Sequence, residues 1–243
     1  TRFVLEQWGF PYKSLLDAEI KAGNLETRYD VIILPDDDVR MITGERGEGG
    51  GGFGGQQPEP PPEFRSGIGQ QGVDALKAFV QSGGTLVTFG QAGEFAIQKL
   101  GAPVRDVVAN RPSKEFWSPG STLRTNVENT NPLAYGMPAR ALATFLGGNE
   151  VYEVIPTPAN ERVERIVTYV DRDLLHSGWL LGEDVIAKKA AMVSVQQGRG
   201  KIVLIGFRPQ HRSQTHGTFK LVFNALVSGP EQRTGVAAGG TGR

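Results

Sequence analysis

Residues Gly83–Gly93 read G-G-T-L-V-T-F-G-Q-A-G, with a run of β-branched and apolar side chains set between glycines. The run Thr85–Phe89 is typical of a strand that is buried on both faces. Before it, Gly72–Ser82 carries apolar residues at helical spacing. After it, Gly90–Gly93 predicts a tight turn into a helix from about Glu94 to Leu100. The order helix, strand, helix indicates one α/β unit.

A second run of the same kind lies upstream. Tyr29–Pro35 reads Y-D-V-I-I-L-P, and three aspartates follow it, Asp36, Asp37 and Asp38. Because both runs are continuously apolar, we expect them to be neighbouring parallel strands inside one sheet.

The second half of the chain is richer in predicted strands than in helices. We expect strands at 122–127, 151–155, 165–170, 190–195 and 201–205, a hairpin turn at 197–200, and a closing helix at 218–227. Short helices are expected at 3–8 and 17–22. The sequence therefore predicts a single α/β domain over residues 1–228, with an antiparallel extension in its second half.

Two segments have a composition that opposes packing. Glycine and proline dominate residues 44–66, and we interpret this segment as a flexible surface insertion. We interpret residues 229–243 as a disordered tail. A glycine-rich loop can also cradle phosphate, but this one lacks the following Lys-Ser/Thr that such a loop uses.

Composition excludes several classes of function. The chain has 243 residues, with 26 basic and 26 acidic side chains, so no general cationic field exists to hold a nucleic acid. It has no cysteine, which excludes disulfides, thiolate zinc sites and a cysteine nucleophile. It has three histidines, which leaves little for a histidine-rich metal centre. No apolar run is long enough to span a membrane, and no signal peptide is visible.

Four motifs together resemble a known family. They are Y-D-V-I-I-L-P-D at 29–36, the glycine-flanked strand at 83–93, N-P-L-A-Y-G-M-P at 131–138, and G-K-I-V-L-I-G-F-R-P-Q-H-R at 200–212. They resemble the class I glutamine amidotransferase-like fold. More narrowly, they are similar to the domain that follows the catalytic domain in large bacterial zinc carboxypeptidases of the carboxypeptidase A-like family.

The resemblance carries several expectations. The fold is expected to be a flavodoxin-like, three-layer sandwich with a mostly parallel sheet. Its first strand is expected to be missing, because Thr1 opens directly into a helix, which leaves a slot beside Val31–Leu34. The chain would then be a non-catalytic accessory domain that packs on an upstream catalytic domain or presents substrate. Zinc would belong to that upstream domain, with no cofactor here, and the parent would be secreted or periplasmic.

The catalytic motifs of both resembled families are broken in this chain. An active amidotransferase places a cysteine at a strand-to-helix elbow in a G-x-C-x-G pattern, and that position falls at Gln91, or at Ala92 in a shifted register. The later H-x-E would match His211-Arg212-Ser213, where the acid is replaced. No histidine begins the H-x-x-E of a zinc carboxypeptidase, and the G-x-S-x-G elbow of serine hydrolases is absent. We therefore expect no catalytic residue and no metal ligand.

Polar residues follow the predicted parallel strands, where open α/β sheets bind ligands. The ligand-binding candidates are Asp36, Asp37, Gln91, Glu94, Arg208 and His211, and Gln210 lies beside them. They favour a small-molecule binding module for a sugar, a nucleotide or an anion as the alternative function. In a purely structural interpretation, the aspartates cap a loop, Glu94 serves a helix N-terminus, and Arg208 pairs with one of the acids.

The aromatic and histidine residues leave further alternatives open. We expect Trp117 to be a core anchor beneath an irregular loop, the alternative being an aromatic platform for a sugar or a peptide. His176 and Trp179 are expected at an exposed corner with a packed indole. His211 and His216 could form a metal pair with Asp36, although loop histidines are more often ordinary polar surface.

Overall fold

The computed structural model describes residues 1–45, 66–156 and 163–228, and these ranges contain one ten-stranded sheet with helices on both faces. The strands are β1 Val31–Leu34, β2 Thr85–Phe89, β3 Val104–Asp106, β4 Gly120–Val127, β5 Arg140–Leu146, β6 Tyr152–Val154, β7 Val163–Tyr169, β8 Leu175–Gly178, β9 Ala190–Gln197 and β10 Gly200–Ile205. The helices are α1 Arg2–Gln7, α2 Asp17–Lys21, α3 Val39–Thr43, α4 Gly69–Gln81, α5 Ala92–Leu100, α6 Glu183–Ile186 and α7 Phe219–Val227.

The sheet is mixed, and its strands follow the order β1-β2-β10-β9-β7-β4-β5. The pairs β1/β2 and β2/β10 are parallel, which confirms the relationship expected for the two apolar runs. The expectation of a mostly parallel sheet holds only for these three strands, since the remaining pairs are antiparallel. A short connection is the reason for the pair β9/β10, because the turn between these strands has no room for the crossover that parallel pairing needs.

Alternation along the central strands divides the core into two layers. Leu86, Ile202 and Leu204 belong to the cluster that contains the apolar faces of α4 and α5. Val87, Val203 and Ile205 point to the other face, where α7 contributes Leu221 and Val222. Because side chains alternate between the faces of a strand, each buried strand serves both layers. The three-layer sandwich is confirmed.

Five elements were not expected from the sequence, namely β3, β5, β8, α3 and α6. They are short or lie in the irregular middle of the chain. Strand β8 reads L-H-S-G and is largely exposed, so it carries no apolar periodicity. Its conformation comes from pairing with β4, which is information that a local pattern does not contain.

The glycine-rich insertion lies mostly outside the described residues, as does the tail from 229 onward. The described residues at either end of the insertion meet: Ile68 N–H donates to the carbonyl of Ile42 over 2.9 Å. The Gly67 N–H donates to Asp17 over 2.6 Å. Within the described ranges, no helix has the length and apolar character needed to cross a membrane.

Candidate functional site

The turn between β2 and α5 is the elbow at which an amidotransferase would carry its nucleophile, and here it is built from Gly90 and Gln91. Gly90 has φ +50°, and its N–H donates to the carbonyl of Ile205 over 2.9 Å. A Cβ at Gly90 would come closer than 3.0 Å to the carboxylate of Asp36. Only glycine supplies both the left-handed backbone and the space for that carboxylate.

Asp36, which follows β1, contacts residues that follow the parallel strands β2 and β10. One of its oxygens accepts a hydrogen bond from the Gln91 N–H over 2.9 Å, and the other pairs with the guanidinium of Arg208. These residues follow β1, β2 and β10, so the topology brings together three of the predicted site residues, as expected. Asp36 bonds to both of the others, and the ion pair anticipated for Arg208 is present.

The N-terminus of α5 is occupied by a second carboxylate of the chain itself. Glu150 is buried and accepts hydrogen bonds from the Glu94 N–H over 3.0 Å and from the hydroxyl of Tyr152 over 2.8 Å. Burial raises the pKa of Glu150 well above its usual range, and it also raises the pKa of Tyr152. Gly93 makes room for this pair. A side chain of the protein itself, Glu150, therefore occupies the place where a helix N-terminus could bind an anion.

Asp106 is a third acid near the same elbow, and it is partly buried. One of its oxygens accepts from Val151 N–H over 2.9 Å and from Val108 N–H over 3.1 Å. Burial is the largest cause that raises the pKa of this carboxyl from 3.8 to about 6, against the opposing effect of those two hydrogen bonds. Sequence reasoning missed both Glu150 and Asp106. Glu150 comes directly before the strand expected at 151–155, and Asp106 ends β3, which was not predicted, so neither position follows a predicted strand.

A cleft of about 930 Å³ opens beside the elbow. Gln91 and Glu94 line it, and most of the other lining residues are polar or aromatic: Asp38, Arg40, Glu45, Gln98, Asp106, Asn110, Arg111, Phe116, Trp117, Asn149 and Glu150. Its charge is unbalanced, with five acidic side chains and two arginines. Such a cleft opposes the binding of a phosphate or a nucleotide.

Four of the six predicted site residues do not line this cleft: Asp36 and Arg208 pair beside the elbow, and Asp37 and His211 lie elsewhere. Asp37 lines a separate groove beside β1, where burial and the charges of Asp36 and Asp38 raise its pKa. His211 stands in a short 3₁₀ turn and does not line the cleft, while the neighbouring Gln210 donates to the hydroxyl of Thr1 over 2.8 Å. In the described residues, no group of three or more histidine, aspartate or glutamate side chains converges to hold a metal ion.

The capping roles expected for the acidic residues are present. Asp38 is the N-cap of α3, where its carboxylate accepts from Met41 N–H over 2.8 Å. Glu94 lies in the first turn of α5, where a negative charge is favourable.

The two tryptophans of the middle region correct the expectation made from sequence. Trp117 is 44% exposed and Trp179 is 62% exposed, so neither is a core anchor or a packed indole. Their rings contact each other edge to face, with centroids 6.0 Å apart. Phe116 performs the anchoring role instead, since its ring packs against Phe145. The pattern could not show which of the two adjacent aromatic residues faces inward.

Gln91 stands at the position where an amidotransferase carries its cysteine, and a glutamine side chain offers no such nucleophile. The backbone amides of Gln91 and Glu94 donate to Asp36 and Glu150. The arrangement can hold a polar ligand in the cleft, beside an exposed aromatic rim.

Comparison with known proteins supports the fold. No protein-family model matches the chain, and no curated protein matches its sequence. Its structure is similar to that of a cytoplasmic protein from Salmonella typhimurium, with a TM-score of 0.55, 13% identity, and coverage of 93% of this chain and 84% of the other. It is also similar to a protein from Thermoplasma acidophilum assigned to GMP synthase, with a TM-score of 0.51, 11% identity, and coverage of 92% and 83%. The chain has a class I glutamine amidotransferase-like α/β fold, whereas a carboxypeptidase parent stays a prediction.

Replacing Asp36 tests whether the polar residues at the strand ends stabilise the fold. Asp36→Ala removes the acceptor of Gln91 N–H and the partner of a half-buried guanidinium, so we expect a loss of about 2 kcal/mol in the free energy of unfolding. Asp36→Asn keeps an acceptor oxygen and should lose less than Asp36→Ala. Urea unfolding of both variants measures the difference. Equal and negligible losses would show that these bonds contribute nothing.

Proposed function

We propose that this chain is a non-catalytic accessory domain of a larger bacterial zinc metallocarboxypeptidase, and that it packs on the rest of that polypeptide along the edge of β1. The proposed packing role rests on one observation, the unpaired edge of β1 in the described part of the chain. Among the described residues, β1 pairs with β2 on one side and with no strand on the other.

The four residues of β1, V-I-I-L, include no charge, proline or bulge of the kind that blunts many natural edge strands, although the strand is short and Pro35 follows it directly. A groove of about 1030 Å³ runs beside it, lined by apolar side chains that include Phe10, Tyr12, Met41, Ile42, Leu226 and Val227. An apolar strand from another part of the same polypeptide fits this groove, because it would satisfy the backbone of β1 and cover the apolar lining.

The parent enzyme rests on the sequence resemblance described above. A carboxypeptidase centre needs an H-x-x-E motif and a later histidine, which this chain does not contain. In this proposal the zinc, the peptidase activity and the export of the parent belong to the catalytic domain. The sequence of the parent polypeptide tests this part directly: absence of that motif would remove the carboxypeptidase while leaving the edge of β1 as a docking site.

Hydrogen exchange tests the docking. The amides of β1 that face the groove should exchange roughly tenfold more slowly in the full polypeptide than in this domain alone. The amides of β2, which lies between β1 and β10, should be protected in both. Unchanged exchange of β1 in the full polypeptide would overturn the proposal.

A substitution that places a charge in the groove tests the docking, and a similar substitution away from the groove is its control. Met41 is 62% exposed and lines the groove, so Met41→Glu should abolish the added protection of β1 with little effect on the isolated domain. Leu142 is 42% exposed on β5, away from the groove, and Leu142→Glu should leave the protection intact. Equal effects of the two substitutions would contradict docking at this edge.

A second candidate function is favoured by the cleft at the elbow. Its volume of about 930 Å³ is that of a small-molecule site, and it combines aromatic with polar lining residues. Of the ligand classes considered from sequence, the excess of acidic side chains opposes nucleotides and anions and is compatible with a sugar.

A further inference from the structure

The strongest feature outside the bonds already described is the pair of exposed tryptophans at the rim of the cleft. Trp117 lines the cleft itself, and Trp179 extends the aromatic surface outward from it. Apart from their contact with each other, the two indoles leave apolar surface exposed to water, and a ligand can cover that surface.

Hydrogen bonds fix the backbone at both tryptophans. Trp117 N–H donates to the carbonyl of Leu181 over 3.1 Å, and Leu181 N–H donates back to Trp117 over 2.9 Å. The Trp179 N–H donates to the hydroxyl of Ser121 over 3.1 Å, and that hydroxyl donates to the Trp179 carbonyl over 2.5 Å. The backbone that carries both indoles is therefore fixed before a ligand arrives, which lowers part of the entropy cost of binding.

Glycines allow the two segments to approach so closely. Gly178 and Gly182 have φ values of +99° and +80°, and a Cβ on either would overlap the backbone of the opposite segment. These two glycines flank Trp179 and Leu181, so the backbone of this segment is specialised for presenting the indole beside Trp117.

The chemistry of the neighbouring cleft narrows the ligand class. Amide groups from Gln91, Gln98 and Asn110 line it together with carboxylates, and such groups exchange hydrogen bonds with hydroxyls. Its excess of acids disfavours phosphate. The face of an indole carries negative charge and attracts the C–H groups on the apolar face of a pyranose ring. A quaternary ammonium ion would also be attracted by the indole faces and by the acids, so choline is a competing occupant in the titration below.

We propose that Trp117 and Trp179 form a platform that binds the apolar face of a neutral oligosaccharide, whose hydroxyl groups reach into the cleft beside Gln91. This inference rests on the second candidate function, the small-molecule module, and is independent of docking along β1. A ligand that spans the platform and the cleft has more than one sugar ring.

Isothermal titration with neutral tetrasaccharides tests the proposal on the whole chain. Cellotetraose, maltotetraose and chitotetraose are the probes, and saturable binding of at least one is expected. Trp117→Ala and Trp179→Ala should each weaken that binding roughly tenfold, which is the scale of one lost stacking contact. Trp8 is a matched control, because it is 57% exposed but packs against Phe219 and Phe223 on α7, and Trp8→Ala should leave binding unchanged.

Other occupants are outcomes of the same titration. Choline, a proline-rich peptide and GMP are titrated in parallel, and preferential binding of any of them would overturn the carbohydrate assignment. Failure of all three tetrasaccharides to bind at millimolar concentration would also overturn it, as would sugar binding that is insensitive to both platform variants. Trp179→Phe keeps an aromatic face and should retain most of the affinity, which separates loss of stacking from a folding defect.

Discussion

Replacement of Gly93 by alanine should destabilise the protein by about 3 kcal/mol, although alanine is the better helix former. Gly93 lies in the first turn of α5 with an ordinary helical backbone, so strain is not the cause. A Cβ at this position would come closer than 3.0 Å to a carboxylate oxygen of Glu150 and to the hydroxyl of Tyr152. The methyl group would push that carboxylate away from Glu94 N–H and leave buried polar groups without partners.

Two further variants separate this mechanism from a general effect of added volume. Gly147→Ala places a methyl group where no atom lies within 4 Å and should change stability by less than about 0.5 kcal/mol. Tyr152→Phe removes one of the two obstructing groups, so Gly93→Ala should cost at least about 1 kcal/mol less in that background. Denaturant unfolding of the native protein, Gly93→Ala, Tyr152→Phe and the double variant measures this difference. Gly147→Ala is unfolded under the same conditions as the control. A stabilising Gly93→Ala would mean that Glu150 does not occupy the helix terminus.

Asp106 should make the stability of the protein fall as the pH rises from about 4 to about 6. Its pKa is raised to about 6 in the folded state, whereas 3.8 is the ordinary value, so the folded state binds more protons between these limits. The contribution of Asp106 to the free energy of unfolding is fully present below its unfolded pKa of 3.8, and it is lost as the pH rises past its folded pKa of about 6. The shift corresponds to about 3 kcal/mol.

The variant Asp106→Asn isolates that contribution. Asparagine keeps an acceptor oxygen for Val108 N–H and Val151 N–H but does not titrate. We expect the free energy of unfolding of the native protein, relative to this variant, to decrease by about 3 kcal/mol between pH 4 and pH 7. Parallel profiles for the two proteins would show that Asp106 is solvated and titrates normally.

These two predictions concern acids beside the same elbow. Glu150 accepts from the backbone amide of Glu94 in the first turn of α5, and Asp106 accepts from two backbone amides nearby. The acids of this region are therefore part of the packing of the fold. Fold similarity alone therefore says nothing about activity, and the function has to be argued from the cleft and the edge of β1.

The amino-acid sequence determined the strands whose apolar runs are continuous. The sequence makes three strands recognisable, Val31–Leu34, Thr85–Phe89 and Gly200–Ile205, because strands of a parallel sheet covered on both faces are rich in consecutive apolar residues. It also determined that no cysteine chemistry is available, and that Asp36, Gln91 and Arg208 meet, because strand order places their positions at one edge. These conclusions depend on local pattern and on the general topology of parallel sheets.

Only the tertiary structure decided what the polar and aromatic residues do. Glu150 reaches the N-terminus of α5 from a loop 56 residues away along the chain, and no local pattern encodes that pairing. Trp117 and Phe116 are adjacent and similar, so which of them is buried depends on the position of Phe145 and on the hydrogen bonds between Trp117 and Leu181. Burial, and with it the pKa of Asp106 and the exposure of the tryptophan platform, is a property of contacts between segments that are distant in sequence.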